Sequence, residues 1–170
     1  MTEEFIDIVD DEDTVVGKAP RKEVIDKALI HRASHVIVID YFRRFLVQKR
    51  SAKKGMFPGL WDLGASETVV SGESYELAAV RGLKEELGID VTKNELTFLF
   101  TARYRSGEYN ANIGVYSLMY NGRLEMNTDE VDELRHMSAE EIKELIKENV
   151  FAPNGALVFE RHIKERGGIK

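Results

Sequence analysis

The sequence predicts an α+β fold with a mixed β-sheet between helices, and three observations carry that expectation. Residues 72–89, GESYELAAVRGLKEELGI, space Leu77, Val80, Leu83 and Leu87 three and four apart, the period of an amphipathic helix. Runs rich in β-branched and aromatic residues, the composition of strands, stand on both sides of that helix. Two more helical patterns close the chain, so the order is strands, one helix, more strands, then two helices. With 170 residues, 43% hydrophobic and only three prolines, the chain is expected to form one globular domain with a sizeable core.

In chain order, residues 5–9 and 14–17 are short β-rich runs about the acidic turn Asp10, Asp11, Glu12 and Asp13, and together they read as a hairpin. The acidic tetrad reads as a solvated loop in preference to a cation site. Residues 20–30 follow no clear period. Residues 35–40 (HVIVID) and 45–50 (FLVQKR) read as a second hairpin about a turn at 41–44. Gly55, Pro58 and Gly59 mark residues 51–59 as a loop, which leads into residues 60–63 and the single tryptophan, Trp61, expected in the core. Residues 65–70 form a strand running up to the helix. After it, residues 95–103 and 113–120 read as strands, Asn121-Gly122 as a turn, and residues 124–126 as a short partner strand. Ser138 with Glu141 is a capping box that starts a helix running to about Glu148. Pro153-Asn154-Gly155 breaks the chain before a last amphipathic helix at 156–166.

Composition narrows the function. A net charge of −6 argues against duplex nucleic acid as a partner, because such proteins present a basic surface that releases counterions. There is no apolar run near the length of a membrane span and no basic-apolar leader at residues 1–5, so neither a membrane segment nor a signal peptide is expected and a cytoplasmic location is. The absence of cysteine excludes disulfides, thiolate catalysis and cysteine-ligated zinc. Residues 41–61 hold six basic side chains, Arg43, Arg44, Lys49, Arg50, Lys53 and Lys54, and no acid.

The helix carries the chemistry. Gly88 ends it as a C-terminal cap, which leaves Glu85 and Glu86 in the last turn, where the macrodipole disfavours an acid by roughly 0.3 to 1 kcal/mol. Arg81, one turn earlier, can pair with Glu85, and Lys84 is beside both. A solvated charged face is one reading, and a cation held by adjacent carboxylates is the other. The full pattern of Glu73, Arg81, Leu83, Glu85, Glu86, Gly88 and Ile89 resembles the Nudix box, G-x5-E-x7-R-E-U-x-E-E-x-G-U with U aliphatic, at seven of its nine defined positions. Glu67 stands where the box has its first glycine, and Gly82 where it has the glutamate after arginine. In many Nudix enzymes that glutamate binds metal or acts as the general base.

The resemblance implies an α/β/α sandwich with a mixed sheet, in which residues 1–30 are an N-terminal hairpin extension and residues 31–170 the Nudix core. It implies Mg²⁺, with Mn²⁺ an alternative, held by Glu85, Glu86 and the backbone carbonyl of Ser66, while Glu73 and Arg81 orient the carboxylates. It also implies hydrolysis of a diphosphate bond, with the base supplied by Glu86 or by an acid of the loop 129–133, where Glu130 and Glu133 are the choices.

Further residues resemble one branch of that family. His31-Arg32-Ala33, Lys49-Arg50-Ser51 with Lys53-Lys54, and Pro58-Gly59-Leu60-Trp61 look like the branch containing isopentenyl-diphosphate isomerase and its hydrolase relatives. There the basic residues ahead of Pro-Gly-x-Trp contact the substrate diphosphate, which makes Arg50, Lys53 and Lys54 candidate phosphate ligands. The isomerase itself fits less well. Ser66 stands in place of its cysteine, Asn110 and Asn112 in place of a glutamate pair, and Val24 and Thr68 in place of two of its three metal-binding histidines, with His31 matching the third. Proton transfer across an allyl unit needs an acid and a base on opposite faces. A non-catalytic ligand-binding domain is a third reading. Arg103 and Arg105, with Tyr104 and Tyr109, are candidates to stack on or pair with a nucleotide base, or else form a sheet-edge aromatic cluster. His35, His136 and His162 are expected to be structural, and the oligomeric state is open, with a homodimer among the alternatives.

Overall fold

The computed structural model describes residues 2–167. One nine-stranded mixed sheet runs through it, built around β3 (His31–Ile39). That strand lies antiparallel to β6 (Ala65–Thr68) and parallel to β8 (Asn110–Met119), and its end turns into β4 (Phe45–Arg50). Next to β4 lie β5 (Trp61–Leu63) and β9 (Val131–Met137), while β7 (Thr97–Arg105) pairs with β8. With strands on both edges and helices over both faces, β3 is buried on each side, which accounts for its apolar run at residues 36–39.

Helices cover the two faces. On one, Val36 and Val38 of β3 and Leu46 of β4 pack against Ala79, Leu83 and Leu87 of α2 (Tyr75–Leu87). On the other, Ile37, Ile39, Phe45 and Val47 pack against Ile142 of α3 (Ala139–Lys147) and Val158 and Phe159 of α4 (Pro153–Gly167). This is the expected α/β/α sandwich.

The N-terminal hairpin is present as β1 (Phe5–Val9) and β2 (Val15–Pro20). Its acidic turn is more than a solvated loop. Asp13 accepts hydrogen bonds from Arg32 Nε at 3.0 Å, Tyr75 Oη at 3.1 Å and Asn112 Nδ2 at 3.0 Å, which clamps the extension onto the core.

Four expectations need correction. The aperiodic stretch 20–30 contains a short helix, α1 (Arg21–Asp26), which with Ile6 and Ala19 buries Val24 in its own small cluster. Residues 124–126 are not a strand. The amides of Glu125 and Asn127 donate instead to the carbonyls of Leu87 and Glu86, at 2.9 and 3.1 Å, and so satisfy the orphan carbonyls at the end of α2. Residues 131–133 belong to β9 and not to a loop. Finally, Pro153-Asn154-Gly155 starts α4 where a break was expected, because proline has no amide to lose in a first helical turn.

Candidate active site

The site grows from the two ends of α2. Ser74 caps its N-terminus by accepting from Leu77 N at 3.2 Å. Gly88 ends it in the left-handed region, φ 67°, and a Cβ there would meet the Cβ of Glu125 at 2.6 Å, so glycine is required by both backbone and neighbour. The termination holds Glu86 in the last turn with its side chain turned into the protein.

Glu86 is 4% exposed, and its carboxylate accepts from Gln48 Nε2, which also donates to the carbonyl of Gly64 at 2.7 Å. It has no ion-pair partner among the described residues. Burial pushes its carboxyl up to about 8, opposed by the Gln48 hydrogen bond and reinforced by the charge of Glu67, with Lys54 and Arg50 pulling it back down. Gln48 had a signal in the sequence. In FLVQKR it shares the α2-facing side with Leu46, and a polar residue at such a position needs a buried partner.

Arg81 gathers the other acids. Its guanidinium forks onto Glu73 at 3.0 Å through both Nε and Nη2, and Nη2 also donates to the carbonyl of Thr68 at 2.8 Å. Its Nη1 lies 3.5 Å from Glu67 and 3.5 Å from Glu85. Lys84 is not part of this set, since it reaches Asp90 at 3.1 Å. Glu73 in turn accepts from the Val70 amide at 3.1 Å, which fixes the loop into α2.

Beside Glu67 opens a cleft of about 290 Å³ whose wall includes Ser66, Glu67, Arg21, Arg50, Lys53, Lys54, Glu130, His31 and Tyr109, while Arg81, Glu85 and Glu86 stand behind that wall and not in it. Lys54 pairs with Glu130, and Lys53 lies 3.8 Å from Asp129. The basic loop and the acidic turn at 129–130 thus meet at the cleft mouth. Arg50 lies deeper, donating to the carbonyl of Met56 at 2.8 and 3.1 Å and sitting 3.6 Å from Asp62, so its first task is to hold the loop.

Three candidates lie elsewhere. Glu133 is on β9, opposite Lys49, and bonds Arg135 at 2.5 Å; it does not line the cleft. Arg103 is exposed on β7, on the face opposite to Tyr104. Arg105 ties the hairpin to the core through Asp11 at 3.0 Å and Asn112 at 2.7 Å. Of the suspected aromatic group, Tyr109 alone reaches the cleft, packed edge-on against His31 and Phe57 with ring centroids 5.1 and 5.7 Å away. Conversely, Arg21 lines the cleft unforeseen. It comes from the aperiodic stretch, and no local pattern marks a side chain that reaches its site only through tertiary folding.

Among the described residues no group of three or more His, Cys, Asp or Glu is already gathered as a metal cage. The donor chemistry nevertheless suits a hard divalent cation. Glu86 is a buried carboxylate without a counter-ion, and it shares its surroundings with a second carboxylate, Glu67, whose pKa is likewise raised by burial.

The comparisons agree with this geometry. The model of the NUDIX domain matches residues 29–156. An uncharacterised Nudix hydrolase of Streptomyces coelicolor is 32% identical over 169 residues, covering 97% of this chain and 91% of that protein. Another, from Pseudomonas aeruginosa, is 33% identical over 138 residues, or 81% and 80% of the two chains. The crystal structure of DR0079 from Deinococcus radiodurans superposes with a TM-score of 0.79 at 22% identity, covering 93% of this chain and 98% of that one. The NUDIX domain of Shewanella oneidensis NrtR, solved with ADP ribose, gives 0.63 at 16% identity over 86% and 99%.

The family match and the relatives make this chain a hydrolase of phosphorus-containing anhydrides, and the mixed sheet between helices agrees with it. The chain belongs to the Nudix family. Enzymes of this family generally use divalent cations and act on small molecules. Among the described residues no helix is long and apolar enough to cross a membrane.

Proposed function

We propose that this chain is one Nudix domain that hydrolyses the diphosphate bond of a nucleoside diphosphate derivative or similar small molecule with Mg²⁺ as its cation, and that it belongs with the hydrolases of the isopentenyl-diphosphate isomerase-like branch. The observation that carries the reading is a buried carboxylate, without an ion-pair partner among the described residues, set just behind a cleft lined by basic side chains. Glu86 does not itself line the cleft, but Lys54 and Arg50, which do, lie near enough for their charges to act on it.

Each residue then has a task. Lys53 and Lys54 sit on the loop whose counterpart in that branch contacts the diphosphate, and each can exchange its acidic partner for a phosphate oxygen. Glu85 and Glu86, with the carbonyl of Ser66, are the groups that would hold Mg²⁺. When bound, the cation supplies neutralisation of the charge that develops on the phosphoryl oxygens. Arg81 and Glu73 hold the acidic end of α2 in place. Glu86 is the candidate to take the proton of the attacking water, since Glu130 is engaged by Lys54. The water that loses this proton attacks phosphorus, and the P–O bond to the leaving phosphate breaks.

The isomerase reading loses further ground in the structure. Asn112 Nδ2 donates to the carbonyl of Asp10 and to Asp13, and Asn110 Nδ2 to the carbonyl of Ala28, so both asparagines serve the hairpin extension.

The test is a panel of nucleoside di- and triphosphates, nucleotide sugars, ADP-ribose and isopentenyl diphosphate, each incubated with and without Mg²⁺. Metal-dependent release of a phosphorylated product is expected. Isomer formation would favour the isomerase, and saturable binding without turnover the binding domain.

A further inference from the structure

The two departures of this chain from the Nudix box lie fifteen residues apart in sequence, at Glu67 and Gly82, but they meet in space. A Cβ placed on Gly82 would lie 2.9 Å from Glu67 Cβ and 3.6 Å from Glu67 Cγ, and 4.0 Å from Glu86 Oε1. The nearest of these atoms is the stem of a side chain rooted in β6, so it cannot swing aside as a flexible tip would. Where the box pairs a glycine on the strand with a glutamate on the helix, this chain has a glutamate on the strand and a glycine on the helix. The Glu67 side chain occupies the space into which a side chain at 82 would grow.

The exchange leaves a carboxylate in the same neighbourhood. Glu67 accepts from the Thr68 amide at 3.0 Å, lies 3.5 Å from Arg81 and 3.8 Å from Arg21, and lines the cleft. Its side chain is 13% exposed, and through Arg81 it shares an anchor with Glu85. Glu86, the buried acid without a counter-ion, lies near enough for the charge of Glu67 to act on it. A hard cation selects oxygen donors by position and not by the element that delivers them.

We propose that Glu67 is a cation-binding carboxylate of this enzyme, delivering from β6 the donor that the family motif places on the helix. The proposal rests on the metal-dependent reading given above. It explains both departures by one compensating exchange, and it assigns Gly82 a role: to make room for Glu67.

Mn²⁺ binding, read by the electron paramagnetic resonance of the free ion, tests it without recourse to activity, with the melting temperature recorded for each variant. Glu67→Gln keeps the shape and is expected to weaken Mn²⁺ binding by roughly tenfold or more while remaining folded. Gly82→Glu alone is expected to lower the melting temperature, because it collides with Glu67. The double variant Glu67→Gly/Gly82→Glu restores the motif and is expected to recover both stability and Mn²⁺ affinity to within about threefold of the parent, a strongly non-additive cycle. Unchanged Mn²⁺ affinity in Glu67→Gln, with the parent binding normally, overturns this inference alone. So does a double variant that binds no better than Glu67→Gly. A parent that binds no Mn²⁺ overturns the metal-dependent reading as well.

Discussion

Glu86→Gln is expected to abolish turnover, lowering kcat by about 10²–10³-fold or more, while leaving the fold in place. The substitution removes the charge and keeps the shape. The amide oxygen of glutamine can still accept from Gln48, whose second contact, to the Gly64 carbonyl, is untouched. What is lost is the anionic oxygen in a buried setting and with it the proton acceptor. The same variant should change the pH dependence of stability in the metal-free protein. In the folded parent burial raises the carboxyl to about 8 from the ordinary glutamate value of 4.5. Between those values the folded chain binds a proton that the unfolded chain has released, so stability falls as pH rises through the window and levels off above it. Urea midpoints across that range should drift downward in the parent and less so in Glu86→Gln. Full activity in the variant would remove Glu86 from the mechanism.

The second large effect is expected at Arg81. Its guanidinium touches Glu67, Glu73, Glu85 and the Thr68 carbonyl at once, and Arg81→Ala leaves two partly buried acids, Glu67 and Glu73, uncompensated beside the exposed Glu85. Because the side chain is a quarter exposed, solvent screens part of the penalty, and a loss of about 2 kcal/mol is expected. In a chain of this size that lowers the melting temperature by about 4–8 °C. Turnover should fall by about tenfold or more, since the acids lose their common anchor. Arg81→Lys restores the charge but not the fork onto Glu73, so it should recover stability in part and activity little. A lysine variant with parental kinetics would show that the fork does not matter.

Much of this was legible in the chain because the motif is contiguous. One amphipathic period, one capping glycine and two adjacent acids place Glu85 and Glu86 on a helix end with no tertiary information. The order of strand-like and helical patterns likewise suffices for the sandwich. What escaped depends on contacts between distant segments. Arg21 reaches the cleft from a stretch without periodicity, and the amides of Glu125 and Asn127 serve α2 instead of a ladder. Arg105 looked like a phosphate or base ligand because an arginine beside tyrosines on a strand has that chemistry, yet an aspartate in the hairpin turn claims it. Pro153 shows how one residue type carries two meanings, a break inside a helix and a favourable first position at its start. No local pattern links Glu67 to Gly82, and only the folded chain brings the two positions together.

Diffraction from a crystal grown with Mn²⁺ and a non-hydrolysable diphosphate analogue, with the ion placed by its anomalous signal, tests the central claim most directly. The ion is expected against Glu85 and Glu86, with the diphosphate extending from it toward Lys53 and Lys54. An ion bound elsewhere, or a diphosphate seated away from the basic loop with the acidic pair turned to solvent, would contradict the account.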